Sequence, residues 1–212
     1  METFVRNLED RPKGSIRDFI YVRDNTLSES FCNHVIERFN QDGRKQDGVV
    51  GHTRVDKNVK DTKDIKISGL DDWVKEDNTF YESLREGLDE YNEYLHEINE
   101  GICNAFPNTT FITSDTGYKI QMYEPGGTYH WHHDWSMSSN PVASRIFTFM
   151  WYLNTIDEKD DGYTEFADGT KIQPVVGRQI FFPATWTYVH RGYPSKVNKY
   201  LCNGWIHSYP SS

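Results

Sequence analysis

The second half of the chain consists of short segments rich in aromatic and β-branched residues, and this pattern constrains the fold most. Turn signals such as Pro125-Gly126-Gly127 and Asp160-Asp161-Gly162 separate the segments. Many short strands at close spacing indicate a β-sandwich or jelly roll. We therefore predict a β core over residues 111–209. The predicted strands are Tyr118–Tyr123, Arg145–Asn154, Gln179–Pro183, Thr187–Arg191 and Tyr200–His207.

Two helical patterns precede this β core. Ser28 fits the N-cap of a first helix, with apolar residues at helical spacing up to Phe39 and Gly43 as a stop signal. Thr79 and Glu82 form a capping box for a second helix. An apolar stripe follows at steps of three and four residues, and Gly101 is the predicted end of this helix. The stripe comprises Phe80, Leu84, Leu88, Tyr91, Leu95, Ile98 and Ile102.

The length of 212 residues suits one domain with a sizeable core. We predict a single α+β domain over 1–212, in which residues 1–110 are mainly supporting helices and a loop. No apolar run approaches the roughly 18 residues of a membrane span, and the N-terminus has no signal-peptide pattern. Cys32, Cys103 and Cys202 lack the C-x-x-C spacing of thiolate zinc sites and predict no disulfide framework. We therefore expect a cytoplasmic protein without a membrane partner.

The net charge of −9 belongs to one segment. Residues 71–100 contain eleven acidic and two basic residues, so the remainder of the chain is neutral. This acidity is typical of the solvated face of a helix, and it disfavours a nucleic-acid partner, which needs a basic surface. The segment Arg44–Lys66 differs in having seven basic and four acidic residues. We interpret it as a long polar loop that could contain a short ribbon, with disorder as the alternative. We hypothesise that it closes over a bound peptide as a lid.

His132-His133-Asp134 is the most informative short motif. Residues i and i+2 of a strand point to one face, so His132 and Asp134 can reach a common point. A second histidine from a later strand would complete a facial triad, which leaves three positions of an octahedral Fe(II) ion open. His190 is the best candidate for this third ligand. His130 shares the predicted face of His132 and remains a rival ligand, whereas His133 should point away.

Lys199 adds a second observation to this motif. A turn at 193–196 would place Lys199 on a strand paired with that of His190. A cation in this position could hold the distal carboxylate of a dicarboxylate co-substrate whose other end binds the metal. Taken alone, Lys199 would be interpreted as a solvated surface lysine.

From Tyr118 to Ile206 the chain resembles the prolyl 4-hydroxylase branch of the 2-oxoglutarate oxygenases. Several blocks occur in the right order and at the right spacing, which is more specific than any single motif. The first helix is also similar to the opening of these enzymes, whereas Arg44–Lys66 shows no match. The matching blocks are YEPGGTYHWHHD at 123–134, RIFTFMWYLN at 145–154, GYTEF at 162–166, IQPVVGR at 172–178, FPA at 182–184, HRG at 190–192 and Lys199-Tyr200.

The resemblance implies a double-stranded β-helix (jelly-roll) core and a dioxygenase that uses Fe(II), 2-oxoglutarate, O2 and ascorbate. It implies His132, Asp134 and His190 as iron ligands and Lys199 as the anchor of the 2-oxoglutarate C5 carboxylate. By the same likeness, Tyr123 and Tyr152 line the co-substrate pocket, where Thr148 could assist Tyr152 and Tyr152 would share the C5 carboxylate with Lys199. Tyr129, Arg145 and Trp205 resemble positions that contact the peptide substrate.

The reaction implied is hydroxylation of a proline in a peptide or protein, with release of succinate and CO2. Two alternatives stay open. The first is hydroxylation of another amino-acid target, which the triad does not distinguish. The second is a cupin-like metal-binding protein without oxygenase activity, against which Lys199 and the GYTEF block both count.

Overall fold

The computed structural model describes residues 16–51, 54–98, 111–139 and 142–210, and its centre is a pair of antiparallel sheets. Apolar side chains from both sheets pack against each other; for example, the rings of Phe166 and Phe182 lie 5.1 Å apart. Two helices contribute to a second apolar cluster with the larger sheet. The strands are β1 Tyr21–Arg23, β2 Gln46–Asp47, β3 Val49–Val50, β4 Arg54–Val55, β5 Lys63–Lys66, β6 Phe111–Asp115, β7 Lys119–Tyr123, β8 Tyr129–His132, β9 Met137–Ser139, β10 Val142–Tyr152, β11 Thr164–Phe166, β12 Lys171–Ile172, β13 Gln179–Pro183, β14 His190–Gly192 and β15 Lys199–Pro210, and the helices are α1 Glu29–Gln41 and α2 Val74–Ile98.

The larger sheet has the strand order β1-β13-β10-β15-β7-β5-β2, with β6 paired to β15 and β9 paired to β10. The smaller sheet has the order β12-β11-β14-β8, and β3 and β4 form a separate ribbon. Taken in chain order, the strands β7, β8, β10, β11, β13, β14 and β15 alternate between the larger and the smaller sheet, as in a double-stranded β-helix. The predicted α+β class with a jelly-roll core and supporting helices is confirmed.

The central strand β10 is apolar on both faces because each face is covered. One face meets the helices, and there the Trp151 indole packs 5.2 Å from the Phe80 ring of α2. The other face points between the two sheets, where Met150 and Tyr152 are buried. The run RIFTFMWYLN therefore lacks the apolar–polar alternation of a half-exposed strand.

The first helix begins as predicted. Ser28 is its N-cap, and the Ser28 hydroxyl accepts a hydrogen bond from the Phe31 backbone N–H. The second helix begins at Val74, so its predicted start at Thr79 is wrong. The Thr79 hydroxyl instead donates to the Lys75 carbonyl inside the helix, which continues from a 3-10 turn at Asp71–Trp73. The predicted end at Gly101 lies outside the described residues.

Three strand predictions need correction. The segment Arg44–Lys66 is more structured than a loop with a ribbon, because β5 pairs with β7 and extends the larger sheet. The predicted strand Thr187–Arg191 is shortened to β14, since a turn in which the Tyr188 N–H donates to the Thr185 carbonyl occupies its first half. Lys199 does not lie on a strand paired with β14, because β15 belongs to the larger sheet.

Within the described residues, no helix is long and apolar enough to cross a membrane.

Candidate metal centre

Three side chains with metal-binding atoms converge where β8 and β14 pair. His132 and His190 are directly opposed in this antiparallel ladder, and Asp134 follows β8 by two residues. One ligand atom of each residue lies within 4.8 Å of the other two. The Asp134 carboxylate is 3.8 Å from His132 Nε2 and 3.7 Å from His190 Nε2. The donor set is two imidazoles and one carboxylate, which suits Fe(II).

Backbone carbonyls orient both imidazoles. His132 Nδ1 is 2.7 Å from the carbonyl oxygen of His130, and His190 Nδ1 is 2.9 Å from that of Tyr188. A carbonyl oxygen only accepts, so each Nδ1 carries the hydrogen and each Nε2 keeps its lone pair for a metal. Burial, followed by the proximity of His190, lowers the pKa of His132 to about 3. His132 is therefore neutral at physiological pH, as metal binding requires.

The third ligand, Asp134, is buried and held by a hydrogen bond. The Thr148 hydroxyl on β10 donates to Asp134 Oδ2 over 2.7 Å. Burial raises the pKa of Asp134, but the facing His190 and His132 and this hydroxyl outweigh burial, so the pKa lies below its usual value. Asp134 is thus a carboxylate that is oriented before any metal arrives.

The rival ligand His130 lies outside this cluster. The His130 side chain is exposed, while its backbone N–H donates to the Val59 carbonyl and its own carbonyl orients His132. His133 is also exposed. The histidine-rich run therefore brings one imidazole, that of His132, to the cluster.

A cavity of about 590 Å³ extends from the three ligands between the two sheets. Alternate residues of the paired strands β7 and β15 form one wall, because side chains of a strand alternate between its faces. The smaller sheet supplies Thr164, Gly192 and the two histidines. The residues of the β7–β15 wall are Lys119, Gln121, Tyr123, Lys199, Leu201, Asn203 and Trp205.

Lys199 is a buried cation in this cavity, with 1% of its surface exposed. Its Nζ donates to the Gly162 carbonyl over 3.0 Å and lies 4.3 Å from the centre of the Tyr123 ring. Within the described part of the chain, no carboxylate lies within salt-bridge distance of Nζ. Burial therefore lowers the pKa of Lys199 to about 7. A buried ammonium without an anion is costly, and a bound carboxylate would relieve that cost.

The residues predicted to help Lys199 occupy two layers. Tyr123 lines the cavity beside Lys199, as expected. Tyr152 lies behind this layer, and its hydroxyl donates to Thr164 Oγ1 over 2.7 Å. Thr164 accepts that bond and lines the cavity, so its own hydroxyl hydrogen is free to face a ligand. Thr148 is not among the described residues that line the cavity, and its hydroxyl donates to Asp134, so its assistance to Tyr152 remains a prediction.

The three residues predicted to meet substrate all line the cavity. The Tyr129 ring stacks on the His132 ring with their centres 3.5 Å apart. The Arg145 guanidinium lies 3.6 Å from the centre of the Trp205 ring, and Arg145 Nη1 donates to the Asp134 carbonyl over 3.3 Å. These side chains therefore adjoin the metal ligands.

The mouth of the cavity is apolar. Trp131 and Trp135 line it although each is 44% exposed. Val49 and Val50 of the ribbon strand β3 line it from the Arg44–Lys66 segment. This position agrees with the hypothesis that the segment covers a substrate, which remains a prediction.

Several lining residues were absent from the sequence prediction. Gln121, Leu201 and Asn203 could have been found from strand alternation, since they share a face with Tyr123 or Lys199. Thr164 belongs to the GYTEF block, which was noted without assigning it a role. Lys60 had no sequence signal, because its place depends on an isolated bridge between Lys60 and Tyr129.

The hydrogen bond from Thr148 to Asp134 predicts a role in metal affinity. The variant Thr148→Val should bind Fe(II) about 10–100-fold more weakly, because an outer partner that orients a ligand is lost. Thr148→Ser keeps the hydroxyl and is the matched control. Competition with a chromophoric chelator under anaerobic conditions measures both. Equal affinities of Thr148→Val and the unmodified protein would contradict this role.

The segment that contains the site is similar to a known protein family. Residues 118–207 match the model of the 2OG-Fe(II) oxygenase superfamily. A comparison with curated protein sequences gave no match. The matched segment contains the three metal-binding residues and Lys199.

Solved structures of prolyl hydroxylases have the same fold. The viral collagen prolyl hydroxylase from Paramecium Bursaria Chlorella virus-1, in complex with 2OG, is similar at a TM-score of 0.64 and 21% identity, over 89% of this chain and 96% of that chain. A Trichoplax adhaerens prolyl hydroxylase in complex with a hypoxia inducible factor peptide fragment gives 0.68 and 18%, over 91% and 84%. A Pseudomonas putida prolyl-4-hydroxylase gives 0.60 and 16%, over 92% and 97%. The chain is therefore similar to the 2OG-Fe(II) oxygenase superfamily over residues 118–207 and shares its fold with these prolyl hydroxylases.

Proposed function

We propose that the protein is a 2-oxoglutarate- and Fe(II)-dependent dioxygenase that hydroxylates a proline in a peptide or protein. The observation that carries this proposal is one cavity with two complementary features. At one place three metal-binding atoms converge, and at another a buried lysine lacks an anion within the described residues. A keto acid with a distal carboxylate satisfies both features at once.

His132, Asp134 and His190 would hold the iron. Both Nε2 atoms keep their lone pairs, and the Asp134 carboxylate is oriented by Thr148. These groups lie close enough together to offer a metal two nitrogen ligands and one oxygen ligand. Three protein ligands leave the remaining positions of an octahedral ion for other molecules.

Lys199 would bind the C5 carboxylate of 2-oxoglutarate. Thr164 could donate a second hydrogen bond, because Tyr152 supplies the bond that its oxygen accepts. Burial also raises the pKa of Tyr123 well above its usual value, so its hydroxyl stays protonated and able to donate. The shared C5 role of Tyr152 becomes indirect in this account, acting through Thr164.

When bound, iron and 2-oxoglutarate supply the oxidation: O2 and 2-oxoglutarate are consumed, one oxygen atom enters a substrate C–H bond as hydroxyl, and succinate and CO2 are released. The chain's own task is to position the reactants and exclude water. Tyr129, Arg145 and Trp205 would hold the substrate beside the metal ligands. By family likeness we expect ascorbate to sustain activity.

The choice of proline is supported by the fold shared with three prolyl hydroxylases, of which one is a collagen prolyl hydroxylase and another is in complex with a hypoxia inducible factor peptide fragment. The exposed Trp131 and Trp135 at the cavity mouth favour a polypeptide over a free amino acid, because they offer an apolar surface beyond the target residue. Another side chain as the target remains the alternative within this class. A cupin-like binding protein would account for the triad but gives Lys199 no purpose.

Hydroxylation is tested with a panel of proline-containing peptides, Fe(II), 2-oxoglutarate and ascorbate. We expect a peptide to gain one oxygen atom, with succinate formed in equal amount. Mass spectrometry of fragments should locate the oxygen on proline. His190→Ala is the control and should form neither product, because one ligand is lost. Oxygen on another residue would select the alternative target instead.

The low pKa of Lys199 predicts proton uptake when 2-oxoglutarate binds. Lys199, with a pKa of about 7, is mostly neutral at pH 8 before binding, and the bound carboxylate favours its charged form. About 0.9 of a proton should therefore be taken up at pH 8 and little at pH 6, so the affinity falls as the pH rises. Calorimetry of the Fe(II) protein without O2, in buffers of different ionisation enthalpy, measures this uptake. Lys199→Arg stays charged and should take up none at this site; equal uptake in both proteins would contradict the assignment.

A further inference from the structure

The cavity contains a second group of cations besides Lys199. Lys60, Lys119 and Arg145 line it, and we call them the cation cluster. Lys119 pairs with Asn203, four residues along β15 from Lys199. At about 3.3 Å per residue, the backbone of Lys119 is roughly 13 Å along the strand from the lysine assigned to 2-oxoglutarate.

One carboxylate is shared by two of these cations. Asp64 Oδ2 lies 2.7 Å from Lys60 Nζ and 3.8 Å from Lys119 Nζ, and it also accepts a hydrogen bond from Gln121 over 3.0 Å. Arg145 stacks on Trp205 and has no carboxylate within salt-bridge distance in the described part of the chain. Asp134, the other buried carboxylate nearby, faces the two histidines. The cluster therefore has more positive charge than Asp64 can balance.

The pKa of Lys119 and two buried polar atoms without a hydrogen bond indicate that this cluster accommodates an anionic partner. Burial, followed by the neighbouring Lys60, lowers the pKa of Lys119 to about 8, so the charged form of Lys119 is held at a cost. Arg145 Nε and Asn203 Oδ1 are buried and make no hydrogen bond within the described residues. A peptide with an acidic side chain offers an acceptor for the first atom and a backbone N–H for the second.

The cluster also adjoins the metal centre. Arg145 Nη1 bonds the Asp134 carbonyl, and Lys60 Nζ lies 5.4 Å from the centre of the Tyr129 ring, which stacks on His132. An extended chain spans at most about 3.6 Å per residue, so residues one or two positions from the oxidised one can lie beside the cluster.

We propose that the cation cluster binds a carboxylate of the substrate, so that the protein selects target residues with an acidic group close by in the sequence. This inference rests on the proposed function, because it assumes a peptide beside the metal ligands. The way Asp64 already lies against Lys60 and Lys119 shows that a carboxylate fits between such groups. The carboxylate could come from an aspartate or glutamate side chain or from a C-terminus.

The test uses fluorescent proline peptides in an alanine-based host, with Asp, Asn or Lys placed one or two positions from the proline and both ends blocked. A further peptide without Asp has a free C-terminal carboxylate next to the proline. Binding to the protein with Mn(II) and 2-oxoglutarate is measured by anisotropy at low and high salt. Lys119→Met removes one cation of the cluster. Lys66→Met is the matched control, because Lys66 is the exposed partner of Lys119 in the β5–β7 ladder and does not line the cavity.

We expect an acidic or free-carboxylate peptide to bind about tenfold more tightly than its neutral counterpart, with an advantage that shrinks in high salt. Lys119→Met should abolish most of that advantage, and Lys66→Met should keep it. Comparing the Asp peptides with the free C-terminus identifies the source of the carboxylate. If acidic peptides bind no better than neutral ones, because all bind alike or none binds, the inference is wrong. Binding of 2-oxoglutarate, measured separately by calorimetry, then reports whether the proposed function still stands.

Discussion

The antiparallel pairing of β8 with β14 is the constraint on which the site depends. This ladder sets His132 opposite His190, although the two are far apart in the sequence, and Asp134 completes the group just beyond the strand. A second ladder, β7 with β15, sets Tyr123 opposite Lys199 on the other sheet. Because the two sheets pack face to face, the metal-binding atoms and the buried lysine share one cavity. The helices support the larger sheet and contribute none of the residues that line this cavity.

The same cavity concentrates buried charge, which a core selected for stability alone would avoid. Lys60, Asp64, Asp134 and Lys199 are each at most 8% exposed, and each has a specific environment. Asp64 is paired with lysines, and Asp134 is held by Thr148 and faces two imidazoles. Lys199 has a carbonyl and an aromatic ring as neighbours. The groups that lack an opposite charge are those for which we propose ligands. The buried cations without a carboxylate partner therefore indicate that the ligands of this cavity are anionic.

The sequence predicted the jelly roll and named residues of both sheets that the structure brings to one cavity, because both depend on local patterns or ordered motifs. The Ser28 cap and the β13 limits needed only neighbouring residues. The predicted start of α2 was wrong, because the sequence pattern of a capping box at Thr79 also occurs inside a longer helix. The pairing of Lys199 with the larger sheet, the bond from Thr148 to Asp134 and the place of Lys60 depend on contacts between segments distant in sequence. Such contacts produce no periodic pattern in the sequence from which they could be predicted.

The central claim is that one cavity binds iron and 2-oxoglutarate together, and visible absorption tests it most directly. Fe(II) and then 2-oxoglutarate are added to the protein without O2, beside His190→Ala. We expect the absorption band that a keto acid chelated to Fe(II) produces. This band should appear with the unmodified protein and be absent with the variant. With iron shown to be bound, the lack of this band in the unmodified protein would contradict the account.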